Sequence, residues 1–116
     1  MVVSMKVSPA TAQTARIAAA IDKLASFTEA DRPYTRLVVS PEFDAARNWL
    51  ADAFVGAGLV CHIDSGGNLI GTRTANLEPV DGDKAGRAKV LIGSHIDTVP
   101  AGGRFDGIAG VMAALE

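Results

Sequence analysis

One histidine and two aspartates offer most of the chemistry this chain could do. They are His95, Asp97 and Asp106, set within Val90-Leu91-Ile92-Gly93-Ser94-His95-Ile96-Asp97-Thr98-Val99-Pro100 and Gly102-Gly103-Arg104-Phe105-Asp106-Gly107. His95 and Asp97 stand two residues apart, so on extended backbone their side chains leave from the same face. That spacing suits a carboxylate that orients a metal-bound imidazole, because a ligand histidine usually donates its second ring N–H to such a group. Asp106 follows His95 by eleven positions. Gly102 and Gly103 would let the chain between them fold back and bring the second carboxylate to the imidazole. Imidazole nitrogen with carboxylate oxygen suits zinc, and a carboxylate can bridge two divalent ions in a centre that activates water for amide hydrolysis. Spacing alone leaves another reading open, with His95 a hydrogen-bonded core histidine, Asp97 a turn residue and Asp106 the N-cap of the last helix.

His62 and Asp64 repeat the same spacing. There Val60, His62 and Asp64 alternate with Leu59, Cys61 and Ile63 in a period of two. A partly covered polar strand edge accounts for the pair, and it is not assigned to the site.

The elements that must position His95 can be read from apolar periodicity. The run 90–94 predicts a strand buried on both faces, with His95 at its carboxyl end, where ligands gather in open α/β sheets. Ile17, Ile21, Leu24 and Phe27 recur at helical spacing and predict an amphipathic helix within 11–27. Arg32-Pro33 then breaks helical geometry, leaving 34–39 irregular or extended. Ser40-Pro41-Glu42 predicts a second helix over 41–57: serine caps free amides, proline fits the first turn, and Glu42 and Asp44 suit the positive dipole end. Ala46, Trp49, Leu50, Ala53, Phe54 and Ala57 form its apolar stripe, and Gly58 is placed to end it. Two short strands, 59–63 and 68–73, join through Gly66-Gly67, and 74–87 has the composition of an exposed connection. Helix-forming residues then run over 108–116. An acidic Glu116 at the negative helix end is an awkward stop, which predicts a truncated chain.

At 116 residues, 48% apolar and 21% charged, the composition is that of one globular domain with a hydrophobic core. A formal charge of −2, with no cluster of Lys or Arg, argues against nucleic acid or an anionic membrane as partner. The absence of a leader-like apolar N-terminus and of a stretch of ~20 apolar residues predicts a cytoplasmic protein. Cys61 has no second cysteine to pair with, and its apolar neighbours predict burial.

Taken as one string, the residues from Gly93 to Pro100 with those from Gly102 to Gly107 resemble the metal-site signature of the hydantoinase/carbamoylase amidohydrolases. That family includes N-carbamoyl-L-amino-acid hydrolase and allantoate amidohydrolase and is related to aminoacylase and carboxypeptidase G type metallopeptidases. Thr35-Arg36-Leu37-Val38-Val39-Ser40 is similar to the Thr-Arg-Leu stretch before the family's second helix. Ala57-Gly58-Leu59 is similar to that helix's end, and Asp64-Ser65-Gly66-Gly67-Asn68-Leu69 to its Asp-x-x-Gly-Asn turn. The resemblance covers 35–116, with Ala101 departing from the polar or basic residue expected there.

By that resemblance, 1–116 would be the N-terminal part of a di-metal aminopeptidase-like catalytic domain, helices packed on a mixed sheet. The satellite dimerisation domain of a homodimeric full-length enzyme would lie outside it. His95 would bind one metal, Asp106 would bridge both, and Asp97 would orient His95. The cofactors implied are two divalent ions, Zn or Mn, with Co or Ni as alternatives. The reaction implied is hydrolysis of a linear carbon–nitrogen bond in a small N-carbamoyl-L-amino acid. A ureide such as allantoate, or an aminoacylase or exopeptidase substrate, are the alternatives within the family. Glu116 matches a glutamate preceding the catalytic pair, so the base, the remaining ligands and the substrate-carboxylate arginine are implied beyond it. From a different class, the chain would be a non-catalytic α/β fragment.

Overall fold

In a computed structural model, which describes residues 11–73 and 90–116, the helical period of the first segment becomes α1, Thr14–Ala25, with Ile21 and Leu24 buried. It stops short of the expected 27 because the amides of Ser26 and Phe27 turn back onto the Lys23 and Leu24 carbonyls, tightening the last turn. The second helix, α2, Pro41–Gly56, starts where the capping residues place it. Ser40 Oγ accepts from the Phe43 amide at 3.1 Å, a cap whose loss to alanine costs about 1 kcal/mol. Gly58, at φ +85°, carries the chain out of the helix. Of the expected stripe, Ala46 and Leu50 are buried, Trp49, Ala53 and Phe54 are half-buried, and Ala57 is exposed just past the helix end.

Strands β1, Val60–Ile63, and β2, Leu69–Thr72, pair antiparallel with Val60 opposite Thr72 and Ile63 opposite Leu69. α2 lies across this hairpin. Phe54 comes so close to Gly71 that an added Cβ would sit 2.6 Å from its ring. Cys61 is half-buried under α2, its Sγ 4.0 Å from the Ala51 carbonyl oxygen, so its expected burial is partial.

The last helix, α3, Ile108–Leu115, packs against α1. The core joins Ile21 and Leu24 of α1, Ala46 and Leu50 of α2, and Ile108, Val111 and Met112 of α3. Truncating a fully buried leucine such as Leu24 would cost about 2–5 kcal/mol. Glu116 reaches across to the start of α1. It accepts from the Gln13 amide at 2.8 Å and from Arg16 at 2.8 and 2.6 Å.

The described residues are thus a small α/β arrangement of three helices and a two-stranded antiparallel sheet. The mixed sheet expected from the sequence is not what they form. The expected strand at 90–94 needs correcting too: it pairs with no described strand, and Val90, Leu91 and Ile92 are 85%, 92% and 71% exposed. A strand is buried by what packs on its two faces, and its own apolar sequence supplies neither cover. The connection expected at 74–87 lies outside the described residues. No described helix is long and apolar enough to cross a membrane.

Candidate metal centre

The segment carrying His95 and Asp97 is irregular, so its shape comes from the elements it crosses. It runs beside 34–36, and the seam between them holds the buried polar residues Thr35, Arg36 and Thr98. The Thr98 amide donates to the Arg36 carbonyl at 2.8 Å, and the Arg36 amide donates to Thr98 Oγ1, also at 2.8 Å. Thr98 Oγ1 in turn donates to the Tyr34 carbonyl at 3.1 Å, and Thr35 Oγ1 accepts from the Ala101 amide at 2.8 Å. Ile96 packs against the core cluster. From there the chain turns at Ala101, φ +52°, and Gly103, φ +86°. That reversal is the fold-back expected of the glycine pair, and it carries Asp106 to the start of α3.

The two carboxylates approach opposite sides of one imidazole. His95 Nδ1 lies 3.1 Å from the Asp97 carbonyl oxygen and 3.3 Å from Asp97 Oδ1. Both neighbours are acceptors and suit a proton on Nδ1, the tautomer that leaves Nε2 its lone pair. Nε2 lies 3.5 Å from Asp106 Oδ2. The imidazole is half-exposed and the Asp106 carboxylate more so, so the pair faces solvent. Asp106 does not cap α3: Gly107 takes that position with no side-chain hydrogen bond. At φ +70°, Gly107 presses against the His95 ring, where an added Cβ would meet Cε1 and Nδ1 at 2.7 Å. Only glycine fits both that backbone conformation and that approach. Arg104, from the same loop, turns away to pair with Asp22 of α1 at 2.5 Å.

A lone pair and a carboxylate oxygen facing each other at 3.5 Å call for a proton or a cation between them. Two bonds of about 2.0–2.2 Å meeting at a tetrahedral angle put their donor atoms about 3.4 Å apart, close to the separation seen. Hard oxygen plus imidazole nitrogen is also the chemistry that zinc or manganese takes. The residues therefore fit a divalent ion. Among the described residues no cluster of three or more His, Cys, Asp or Glu side chains forms around it.

No family profile matches the chain. It is, however, 40% identical over 105 residues to the N-carbamoyl-L-amino-acid amidohydrolase of Paenarthrobacter aurescens, aligning 90% of this chain with 24% of that protein. To the ureidoglycolate hydrolase of Oryza sativa subsp. japonica it is 36% identical over 97 residues, 83% of this chain and 19% of that one. A crystal structure of a hydantoinase/carbamoylase family amidase from Burkholderia ambifaria superposes with a TM-score of 0.72 at 37% identity, over 88% of this chain and 24% of its own. The chain belongs to the hydantoinase/carbamoylase family. It spans about a quarter or less of the length of these family members.

The family resemblance read from the sequence pointed to His95, Asp97 and Asp106, and the fold brings all three together. It gave no role to Arg36, although the Thr-Arg-Leu string was visible. The Arg36 guanidinium is buried against the site segment, with Nε donating to the Ile96 carbonyl at 2.7 Å. Burial lowers its pKa, and the Asp97 charge pulls it back up; an arginine stays charged through both. The available signal was an arginine directly before the apolar run Leu37-Val38-Val39, with no acidic residue within four positions of it.

Proposed function

We propose that this chain carries half of a two-metal hydrolase site, and that the protein hydrolyses a linear carbon–nitrogen bond in an N-carbamoyl-L-amino acid. The observation that carries the reading is the His95 ring held from both sides, Nδ1 on Asp97 and Nε2 aimed at Asp106 3.5 Å away. His95 Nε2 and Asp106 would hold divalent ions, zinc or manganese first, with cobalt or nickel as substitutes, and Asp106 would bridge two of them. Asp97 keeps the proton on Nδ1 and so keeps the Nε2 lone pair available. The chemistry such ions supply is activation of water and polarisation of the scissile carbonyl. Two donors bind weakly, so the remaining ligands and the general base must come from residues other than these.

The carbamoyl substrate is supported by the 40% identity to a relative named for it. A ureide is the second candidate, supported by the 36% identity to a ureidoglycolate hydrolase. The reading also includes an aminopeptidase-like catalytic domain, a homodimeric natural enzyme and a cytoplasmic location, the last in keeping with a single cysteine.

The test uses the natural full-length protein. His95→Ala and Asp106→Ala should each lose bound metal by elemental analysis and lose hydrolysis of N-carbamoyl amino acids and ureidoglycolate, assayed side by side. Metal content equal to wild type in either variant would overturn the ligand assignment. Turnover of the ureide alone would move the substrate to the second candidate.

A further inference from the structure

Arg36 is the one charged residue among the buried side chains of the described segments. A buried guanidinium is costly unless its donors are bonded. Here Nη1 donates to the Leu24 carbonyl at 2.7 Å and to the Phe27 carbonyl at 2.8 Å. Leu24 lies in the last turn of α1, its carbonyl otherwise taken only by the Phe27 amide, and Phe27 lies two residues past the helix, at the negative end of the dipole. On the same planar group, Nε donates to the Ile96 carbonyl at 2.7 Å. A guanidinium holds its donors at fixed angles, so α1 and the Ile96 carbonyl are locked in one orientation.

Ile96 lies between His95 and Asp97, which gives that lock a consequence for the site. Residue 36 takes the Ile96 carbonyl through its side chain and the Thr98 amide through its backbone oxygen. With 96 and 98 fixed on the Arg36 side, the Asp97 carbonyl is left facing the other way, where it meets His95 Nδ1 at 3.1 Å.

We propose that Arg36 is a positioning residue for the candidate metal centre: by fastening the Ile96 carbonyl to the end of α1, it turns Asp97 onto His95 Nδ1 and so aims Nε2 at Asp106. The guanidinium touches neither metal donor. It acts through one peptide group, and the inference rests on the metal reading above for its purpose, though not for its geometry.

The test uses metal-free natural full-length protein and three readouts: the ring-nitrogen NMR shifts of His95, assigned by loss in His95→Gln; zinc affinity by competition titration; and thermal unfolding. Wild type should show His95 with a proton fixed on Nδ1. In Arg36→Lys, which keeps the charge but not the fork, the His95 shifts should move to those of exchanging tautomers. Zinc affinity should fall about 10-fold, while His62 stays unmoved and unfolding stays cooperative. Wild-type His95 shifts and wild-type zinc affinity in that variant would overturn the proposal. Should Arg36→Lys not fold, wild type decides: the Arg36 Nε proton should exchange far more slowly than those of exposed Arg16 and Arg32, and equal rates would overturn it. Absence of zinc binding by wild type would sink the metal reading alone, since the tautomer readout needs no metal.

Discussion

Two His-x-Asp pairs in one chain have different fates. In the hairpin, Asp64 is consumed by its own turn: Oδ1 accepts from the amides of Gly66 and Asn68, each at 2.9 Å, and Oδ2 takes the Asn68 side chain at 3.0 Å. These bonds, the Asn68 side chain foremost, lower the Asp64 pKa. In the loop, Asp97 is spent on no such turn, and its carboxylate faces His95 at 3.3 Å with Asp106 arriving on the far side. Equal spacing therefore decides little. What decides is whether the carboxylate already has local amides to satisfy, and whether a glycine reversal delivers a second acid.

The sharpest way to break this contrast is at the glycines. Gly107→Ala would drive a methyl into the His95 ring and should weaken zinc binding about 100-fold, the upper end for a change outside the ligands. Gly67→Ala, also at positive φ but with only Arg47 Nη1 near at 3.7 Å, should cost about 1 kcal/mol of stability and leave zinc titration unchanged. Next in size, Asp97→Asn should lower zinc affinity about 10–100-fold, whereas Asp64→Asn should leave it alone. Wild-type affinity for Asp97→Asn would make the two pairs equivalent. Acid titration separates them further. The folded Asp64 pKa is depressed, so its stabilisation is present above the unfolded value of about 3.9 and is lost as pH falls below it. Asp64→Asn should flatten urea-midpoint curves in that range. A contact outside both pairs titrates in the same acid range: Arg16 holds Glu116 down from 4.5 to about 2. Its contribution is full above pH 4.5 and lost towards 2, so Glu116→Gln should remove only that slope.

Local signals carried over where the physics is local. Ser40 and Pro41 set the start of α2, Ile21 and Leu24 marked the buried face of α1, and the Asp64-x-x-Gly67-Asn68 turn fixed the hairpin register. The family string marked His95, Asp97 and Asp106, and the glycine reversal brought them together. What stayed illegible depends on distant chain. The run 90–92 looks buried in sequence and is exposed, because burial is conferred by covering elements. The positive φ of Tyr34, Val39 and Ala101 is invisible in residues that rarely adopt it. Nothing in the Thr35-Arg36-Leu37 string marks Arg36 as buried; α1 and the loop, distant in sequence, close around it.

The seam that fixes His95 is built from bonds spanning 60 to 66 positions of chain. Long closures lose entropy before any contact rewards them, so they form late. The hairpin and α2, whose partners are neighbours, assemble ahead of them. The loop carrying His95 therefore docks after them, onto an α1 that must already have exposed its carbonyl end. A lesion that delays α1 would leave a chain with its secondary structure in place and no organised imidazole.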